Sequence, residues 1–478
     1  PINDCTDERC PGEPKEDRIT NYLIHNRYHH KLRNVFQKGG GTILDRVMIT
    51  SLMKYNGRIA GAVGFSPDND DTYIFQTKAI VLAAGNGGMK NCGIRTNTTT
   101  GDAQAMAYRI GCAVTGKEWA DQHGSRGDFP AYPWTGNDRN PYYNKNDATC
   151  EHLWEHLPMY NMEGKKIVSD RPNLAKVHPL PFNAIAMAYE AHIGHAPLFY
   201  KVDGNPDTSP MNHNPSDKPR EEVDELAAER GMVRMSMGRA LGQSYHLSDG
   251  IWSDGTDCTT QVPGLYAAGD CLGARSGYPM AGFAAAFCAV SGARAGVNAA
   301  RFSDEHGWNG LDRDEIAGLK GVLWGPKERK GGFTPQWALQ VLQDVVTPYW
   351  VLLYKREDRL QAALNYVGFM RDHIVPQLMA YDNHDLRLVH EVRNIVLHME
   401  MKLRASLFRK ESRWYHYRED YPLRDDENWL CWVKIQDVNG EMTLSKVPIP
   451  EKWRPDPTVP YAERYPCKFP NEPQDLPD

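Results

Sequence analysis

The 478-residue sequence predicts an α/β core that is interrupted by an inserted α+β capping domain and followed by a C-terminal helical bundle. Three observations carry this reading. Lys78–Ala84 is an apolar run ending in Gly85-Asn86-Gly87-Gly88, and Val262–Ala268 is a second one ending in Gly269-Asp270. Short apolar runs bounded by glycine read as buried strands of a covered sheet. Between them, residues from about 120 to 235 are rich in Pro, Asn, Tyr and His at irregular spacing, which marks an insertion. From roughly 335 to 410 the apolar positions, Leu360, Leu364, Val367 and Ile374 among them, recur near the helical period.

Taken in order, the polar first 38 residues predict an extended start around Pro11 and Pro14 and a short helix near Ile19–His30. Thr42–Lys54 and Arg58–Phe65 flank Asn56-Gly57, a pair that tolerates positive φ and so predicts a tight hairpin. A turn at Pro67–Asp71 leads to a strand at Tyr73–Phe75 and then to the buried run Lys78–Ala84. Thr100-Gly101-Asp102 opens a helix over Ala103–Ile110, which Gly111 closes. Residues 246–270 return to strand and turn, and Met280–Arg301 is a long helix rich in Ala and Gly. The prolines after Gly440 predict a tail that wraps over a surface or a partner. The expected domains are 1–119 and 241–305 for the core, 120–240 for the cap, 330–435 for the helices and 436–478 for the tail.

Composition narrows the function classes. With 41% hydrophobic and 24% charged residues the chain can bury a large core. A net charge of −6 argues against nucleic acid or an anionic membrane as main partner. No run of roughly 18 apolar residues occurs, so no membrane-crossing helix is expected. No basic start followed by an apolar stretch is present, so no signal peptide is expected either. Ten cysteines are scattered with no Cys-x-x-Cys, which argues against a zinc ribbon or an iron–sulfur cluster held by this chain and points to a reducing, cytoplasmic setting. His152-Leu153-Trp154-Glu155-His156 matches the pattern of inverted zinc proteases, but its short flanks and Pro158 argue against catalysis there. His25, His29 and His30 read as a solvated helix face, so no metal is expected. Asn97-Thr98-Thr99 spells a glycosylation site that a reducing setting leaves unused.

The chemistry concentrates in two glycine-rich stretches. In Val262–Asp270 a bare Gly269 lets the backbone approach a ligand, and the Asp270 carboxylate accepts hydrogen bonds from hydroxyls. Gly277–Ala286 then begins a helix from small residues, and free N–H groups at such a start stabilise negative charge. A plain strand–turn–helix with a capping aspartate is the alternative reading of the same residues.

Together these motifs resemble the flavoprotein family of succinate dehydrogenases and fumarate reductases. Gly269-Asp270 with Gly282, Ala284 and Ala285 resembles the family's second FAD motif, and Val81–Gly88 resembles its Ala-Thr-Gly-Gly strand end. Thr100-Gly101-Asp102 resembles Thr-Gly-Asp-Gly, with Ala103 in place of the last glycine. Glu411-Ser412-Arg413 followed by His416, Arg418, Glu419, Asp420 and Tyr421 resembles Glu-Ser-Arg-Gly-Ala-His-x-Arg-x-Asp-Tyr, and the order is kept over about residues 33–435. The resemblance implies an FAD-binding Rossmann-like core, with FAD lined by Ala84, Gly85, Gly87, Asp102, Gly269, Asp270, Gly282, Ala284 and Ala285. It implies a small anionic substrate, oriented by His123 and His246, and a partner in the form of an iron–sulfur electron-transfer subunit.

The sequence also departs from that family. The arginine that donates a proton in fumarate reductases falls at Leu180, with Asn183 nearby, if Glu190 is the glutamate that follows it; the substrate-clamping arginine falls at Pro279. None of these side chains is a general acid. Arg275 and Tyr278 are the candidates at the reacting end. Gly273-Ala274-Arg275-Ser276 with Arg413-Trp414 and Asn428-Trp429-Leu430 resembles the adenylylsulfate reductase branch, whereas Tyr278-Pro279 with Gly282 resembles 3-ketosteroid dehydrogenases; the C-terminal helices favour the former. No Gly-x-Gly-x-x-Gly precedes Lys54, so the sequence is expected to begin partway through a longer protein or to receive that fingerprint from another polypeptide. Two functions follow: a catalytic flavoprotein subunit, or a flavin-bearing subunit that serves as scaffold or relay.

Overall fold

The computed structural model describes residues 28–90, 99–119, 250–273, 283–465 and 468–473, with short pieces between 126 and 240. Helix α1 (Tyr28–Lys38) begins where the short N-terminal helix was expected to end; residues 19–27 lie outside the described part. The meander β1 (Met48–Tyr55), β2 (Arg58–Phe65) and β3 (Thr72–Gln76) is antiparallel throughout. Its first turn has positive φ at both Asn56 (50°) and Gly57 (78°), as a two-residue hairpin with right-handed strand twist requires. The meander is buried on both faces. Met53, Val63 and Phe65 pack into the helical core, while Leu52 and Ala62 pack into the α/β core.

Strand β4 (Ile80–Leu82) pairs in parallel with a later strand, Leu265–Ala267, in register Val81 opposite Tyr266. The run Lys78–Ala84 is not buried throughout: Val81 is 37% exposed, and Ala83 and Ala84 are exposed. Among the described residues no strand occupies the other edge of β4. Helix α2 (Asp102–Arg109) starts where the Thr-Gly-Asp triplet placed it, and Gly111 follows with φ 102°. Strand β5 is Val114–Thr115.

The insertion contributes β6 (Arg126–Gly127), β7 (Met159–Tyr160), β8 (Leu198–Lys201), β9 (Met232–Met235) and β10 (Arg239–Ala240). β7, β8 and β9 form an antiparallel sheet, and β10 pairs with β6. The chain returns through β11 (Gly250–Ile251), which pairs with β5, so the insertion leaves and re-enters at neighbouring strands. The partner of β4 is β12 (Leu265–Ala267), and helix α3 (Phe283–Glu305) packs on both.

The C-terminal region holds α4 (Arg313–Glu328), capped by Asp312, α5 (Pro335–Val346), capped by Thr334, and strand β13 (Tyr354–Lys355). Helix α6 (Glu357–Phe369) follows, then α7 (Asn383–Phe408), capped by Asp382. α7 is the axis of the bundle, packing against α2, α4, α5 and α6. Its buried side chains include an unusual set of polar ones: His390, Glu391, Asn394, His398, Glu400, Lys402 and Ser406. β14 (Tyr417–Arg418) pairs with β13. The expected tail begins instead as sheet. β15 (Cys431–Val438) and β16 (Glu441–Pro448) form a hairpin that joins β5, giving the order β11-β5-β15-β16. Cys431, Val433 and Ile435 alternate inward along β15, and the last two pack with Met401 and Ala405 of α7. No helix among the described residues is long and apolar enough to cross a membrane.

Candidate functional site

The carboxyl ends of β4 and β12 lie side by side. Ala268 N donates to Leu82 O at 2.8 Å, and the Cys271 thiol reaches the same carbonyl at 2.8 Å. Beyond β12 the chain turns through Gly269–Cys271, with Gly269 at φ 65° and its N–H donated to Ser291 Oγ of α3 at 2.9 Å. The positive φ favours glycine here, and a Cβ on Gly269 would stand a tight 3.2 Å from Cys288 Sγ, which would have to shift slightly. Asp270 follows, half-buried, with Cys288 Sγ 3.8 Å from its carboxylate. Beyond β4, Gly85 takes φ 73°, and Gly87 bridges to Thr100. Ala84, Gly85, Gly87, Asp102, Gly269 and Asp270 are thus gathered at one end of a parallel pair, the place where open α/β sheets bind ligands. This glycine-lined edge, with two half-buried carboxylates and exposed small side chains at Ala83 and Ala84, fits an extended nucleotide cofactor.

The Thr100-Gly101-Asp102 triplet is held from the helical region. Asp102 accepts from Thr100 Oγ1 at 2.9 Å and from Asn394 Nδ2 at 2.6 Å. His398 Nε2 donates to Gly101 O at 2.9 Å, while its Nδ1, 3.1 Å from Lys117 Nζ, accepts from that ammonium. That tautomer is neutral, in agreement with burial and the Lys117 charge, which hold the imidazole well below its usual titration range. Lys117 Nζ also donates to Gln104 Oε1 at 2.5 Å.

A second buried network contains the Glu411–Tyr421 motif. Arg409, 0% exposed, donates to Glu118 Oε1 at 3.1 Å, Glu411 Oε1 at 2.7 Å, Trp429 O at 2.8 Å and Cys431 O at 2.6 Å. Glu411 further accepts from Arg413 and from Asp425 N. His416 Nε2 donates to Arg409 O at 3.2 Å and Nδ1 accepts from Lys355 Nζ at 2.9 Å; burial and the Lys355 charge push this imidazole down as well. Arg418 lies in a bidentate pair with Asp420 and under Tyr421, 5.0 Å from the ring centre. The motif therefore serves as internal scaffolding that locks β14 and β15 to α7.

Of the remaining sequence-predicted site residues, His123, His246, Arg275, Tyr278 and Gly282 lie outside the described residues, as do His152–His156. Ala284 and Ala285 fall in the first turn of α3. Glu190, half of the proton-donor alignment, is buried; Asn161 Nδ2 donates to it at 3.0 Å and His195 Nδ1 stands 2.7 Å away. No group of three or more His, Cys, Asp or Glu side chains among the described residues converges as a metal site. Sequence reasoning passed over Ser291, Asn394 and His398. The first sits in a run of small residues, and the other two, four apart on α7, carry no motif of their own.

The chain matches two family models. "FAD binding domain" covers residues 6–121, and "Fumarate reductase flavoprotein C-term" covers residues 342–464. An uncharacterised FAD-dependent oxidoreductase of Methanocaldococcus jannaschii is 31% identical over 171 residues, 36% of this chain and 31% of that protein. One chain of the CoM/CoB fumarate reductase of Methanothermobacter marburgensis is 23% identical over 79% of this chain and 68% of its own length. The chain thus spans less than a third of the first relative and about two-thirds of the second. Among solved structures, E. coli quinol fumarate reductase superposes with TM-score 0.69 at 18% identity, covering 91% of this chain and 76% of its own. Adenylylsulfate reductase of Archaeoglobus fulgidus gives 0.62 at 22%, covering 85% and 72%. At these identities the likeness is one of fold.

Proposed function

Since the chain belongs to the succinate dehydrogenase and fumarate reductase flavoprotein family, and FAD is the cofactor of that family's binding domain, we propose that it is the flavoprotein part of an oxidoreductase acting on a small anionic substrate. The observation that supports this most is the meeting of Gly85–Gly87 and Gly269-Asp270 at the carboxyl ends of β4 and β12. FAD supplies a two-electron carrier at this edge. Asp270 would accept hydrogen bonds from its hydroxyls, Asp102 and the backbone of Ala84, Gly85, Gly87 and Gly269 would line it, and Gly282, Ala284 and Ala285 would present the start of α3. His123 and His246 would orient the substrate, with Arg275 and Tyr278 at the reacting end.

The proposed electron partner is an iron–sulfur subunit, because two electrons collected at a flavin need a further carrier and this chain has no Cys-x-x-Cys to hold a cluster. The stretch from Trp429 to Tyr465 is its proposed docking surface. Within it Trp429 and Tyr461 are buried, whereas Trp453 is 70% exposed and β16 lies at the edge of its sheet, so that this indole and this edge are among the accessible parts. Cys112, Cys258, Cys271, Cys288 and Cys431 are free thiols, which supports a reducing, cytoplasmic location.

A second reading, a flavin-bearing relay without its own substrate, is favoured by Leu180 and Pro279 standing where the family's arginines would be. Steady-state turnover by the FAD-loaded protein with a reduced viologen dye tests the choice. Oxidation of the dye by fumarate or adenylylsulfate supports the enzyme; dye oxidation by neither supports the relay.

A further inference from the structure

Three buried polar residues of α7, Glu391, Asn394 and His398, follow one another at intervals of three and four and so share one helix face. Their partners lie in the two segments that form the glycine-lined edge. Glu391 is paired with Lys90 at 3.0 Å, three residues past Gly87. Asn394 donates to Asp102 Oδ1 at 2.6 Å, and His398 donates to Gly101 O at 2.9 Å. Gln343 of α5 adds a bond from its Nε2 to Met89 O at 2.7 Å, and the Met89 side chain is buried in the helical core. The two segments also meet each other through the bridge between Gly87 and Thr100. Both are therefore seated on the helical bundle as well as on the α/β core.

Stability does not call for polar side chains on this axis, since well-packed apolar ones of similar volume serve a core as well or better. Nor does the Asp102 carboxylate depend on Asn394 for a donor, because Thr100 Oγ1 reaches both of its oxygens, at 2.9 and 3.0 Å. Thr100, however, belongs to the same loop and moves with it. Asn394 stands on a helix packed against α4, α5 and α6, so its bond fixes the carboxylate relative to the whole fold. We propose that this face of α7 positions the flavin cofactor from behind: Asn394 acts through Asp102, and Glu391 acts through Lys90 on the Gly85–Gly87 loop. The proposal rests on the reading of Asp102, Gly85 and Gly87 as residues that line FAD.

The test titrates FAD into the deflavinated full chain and records the thermal midpoint of each variant. Asn394→Leu is expected to weaken FAD binding about tenfold. In the Asp102→Ala background it should weaken binding no further, because two groups that act through one bond are not additive. Glu391→Gln and Lys90→Met should each weaken binding, and together no more than the stronger of the two. His390, on the same helix, bonds Leu323 O of α4, away from the glycine-lined edge. His390→Leu should lower the thermal midpoint and leave FAD affinity as it is. Additive losses in either pair, or a loss of affinity in His390→Leu to match Asn394→Leu, would overturn the proposal, since the effect would then be one of general stability. Full affinity in Asn394→Leu beside weakened affinity in Asp102→Ala would overturn it as well, while leaving Asp102 as a cofactor residue; full affinity in Asp102→Ala would overturn both.

Discussion

His398 Nε2 lies 2.9 Å from the carbonyl oxygen of Gly101, and a Cβ on that glycine would come within 2.1 Å of the same nitrogen. The helical axis therefore touches the start of α2 through a position that no side chain can share. Gly101 is doubly constrained, because its φ is also 69°. Gly101→Ala is expected to cost about 1–2 kcal/mol for the left-handed backbone and about 1–3 more for displacing His398. Gly40→Ala, at φ 89° with open space around it, carries only the first of these costs. Denaturant unfolding of the two variants measures the difference; equal losses would mean that His398 yields freely.

Asp270→Ala is expected to release FAD far more readily than Asp304→Ala, an exposed position near the far end of α3. Removing the carboxylate leaves bound hydroxyls unpaired at about 1–3 kcal/mol, a roughly 5- to 150-fold weaker cofactor affinity. Flavin content after gel filtration is the measurement, and equal content would count against the Gly-Asp assignment.

Arg409 joins Glu118 and Glu411 with all three side chains nearly inaccessible. Arg409→Met takes the cation from the buried Glu118 carboxylate while Glu411 keeps Arg413, and removing one partner of a buried pair costs about 3–5 kcal/mol. The solvent-exposed pair of Arg33 with Asp45 is the contrast, since Arg33→Met should leave the thermal midpoint where it is. A similar midpoint for both variants would show that the carboxylates find other partners.

Acid should weaken the fold before the carboxylates titrate. Burial pushes His390 down to about 3 and holds His398 and His416 well below their usual range. The unfolded chain takes protons on these groups near pH 6.5, the folded one only at lower pH. In that window the unfolded state binds more protons, so stability is full above about pH 6.5 and declines as the pH falls. The slope reaches about 1.4 kcal/mol per pH unit for each group. Urea midpoints at pH 7, 6 and 5 should drop steadily, and less steeply in His398→Gln. A flat profile down to pH 5 would mean that the imidazoles are charged in the fold.

Much of this architecture was readable from local chemistry. Asn56-Gly57 announced its hairpin, Thr100-Gly101-Asp102 its helix, and the two glycine-ended apolar runs the strands β4 and β12, whose parallel pairing only the structure shows. Asn439-Gly440, with φ 57° and 86°, carries the same hairpin signal as the first pair. It was masked by the prolines that follow, and so β16 was expected as an extended tail and most of β15 as part of the helical region. Polarity hid the rest. His398, Lys402, Arg409 and Glu411 look like surface residues by type, and their burial is decided by partners hundreds of residues away, such as Gly101 and Glu118.

The central claim is that the edge formed by β4 and β12 holds FAD that exchanges electrons with a small anion. Single-turnover mixing tests it most directly: the FAD-loaded protein is reduced without oxygen, then mixed with fumarate, adenylylsulfate or buffer, and flavin absorbance is followed. The account predicts rapid reoxidation by one of the anions, lost in Asp270→Ala in proportion to flavin content. Flavin that stays reduced with every anion, yet is reoxidised at once by an iron–sulfur protein, would contradict it.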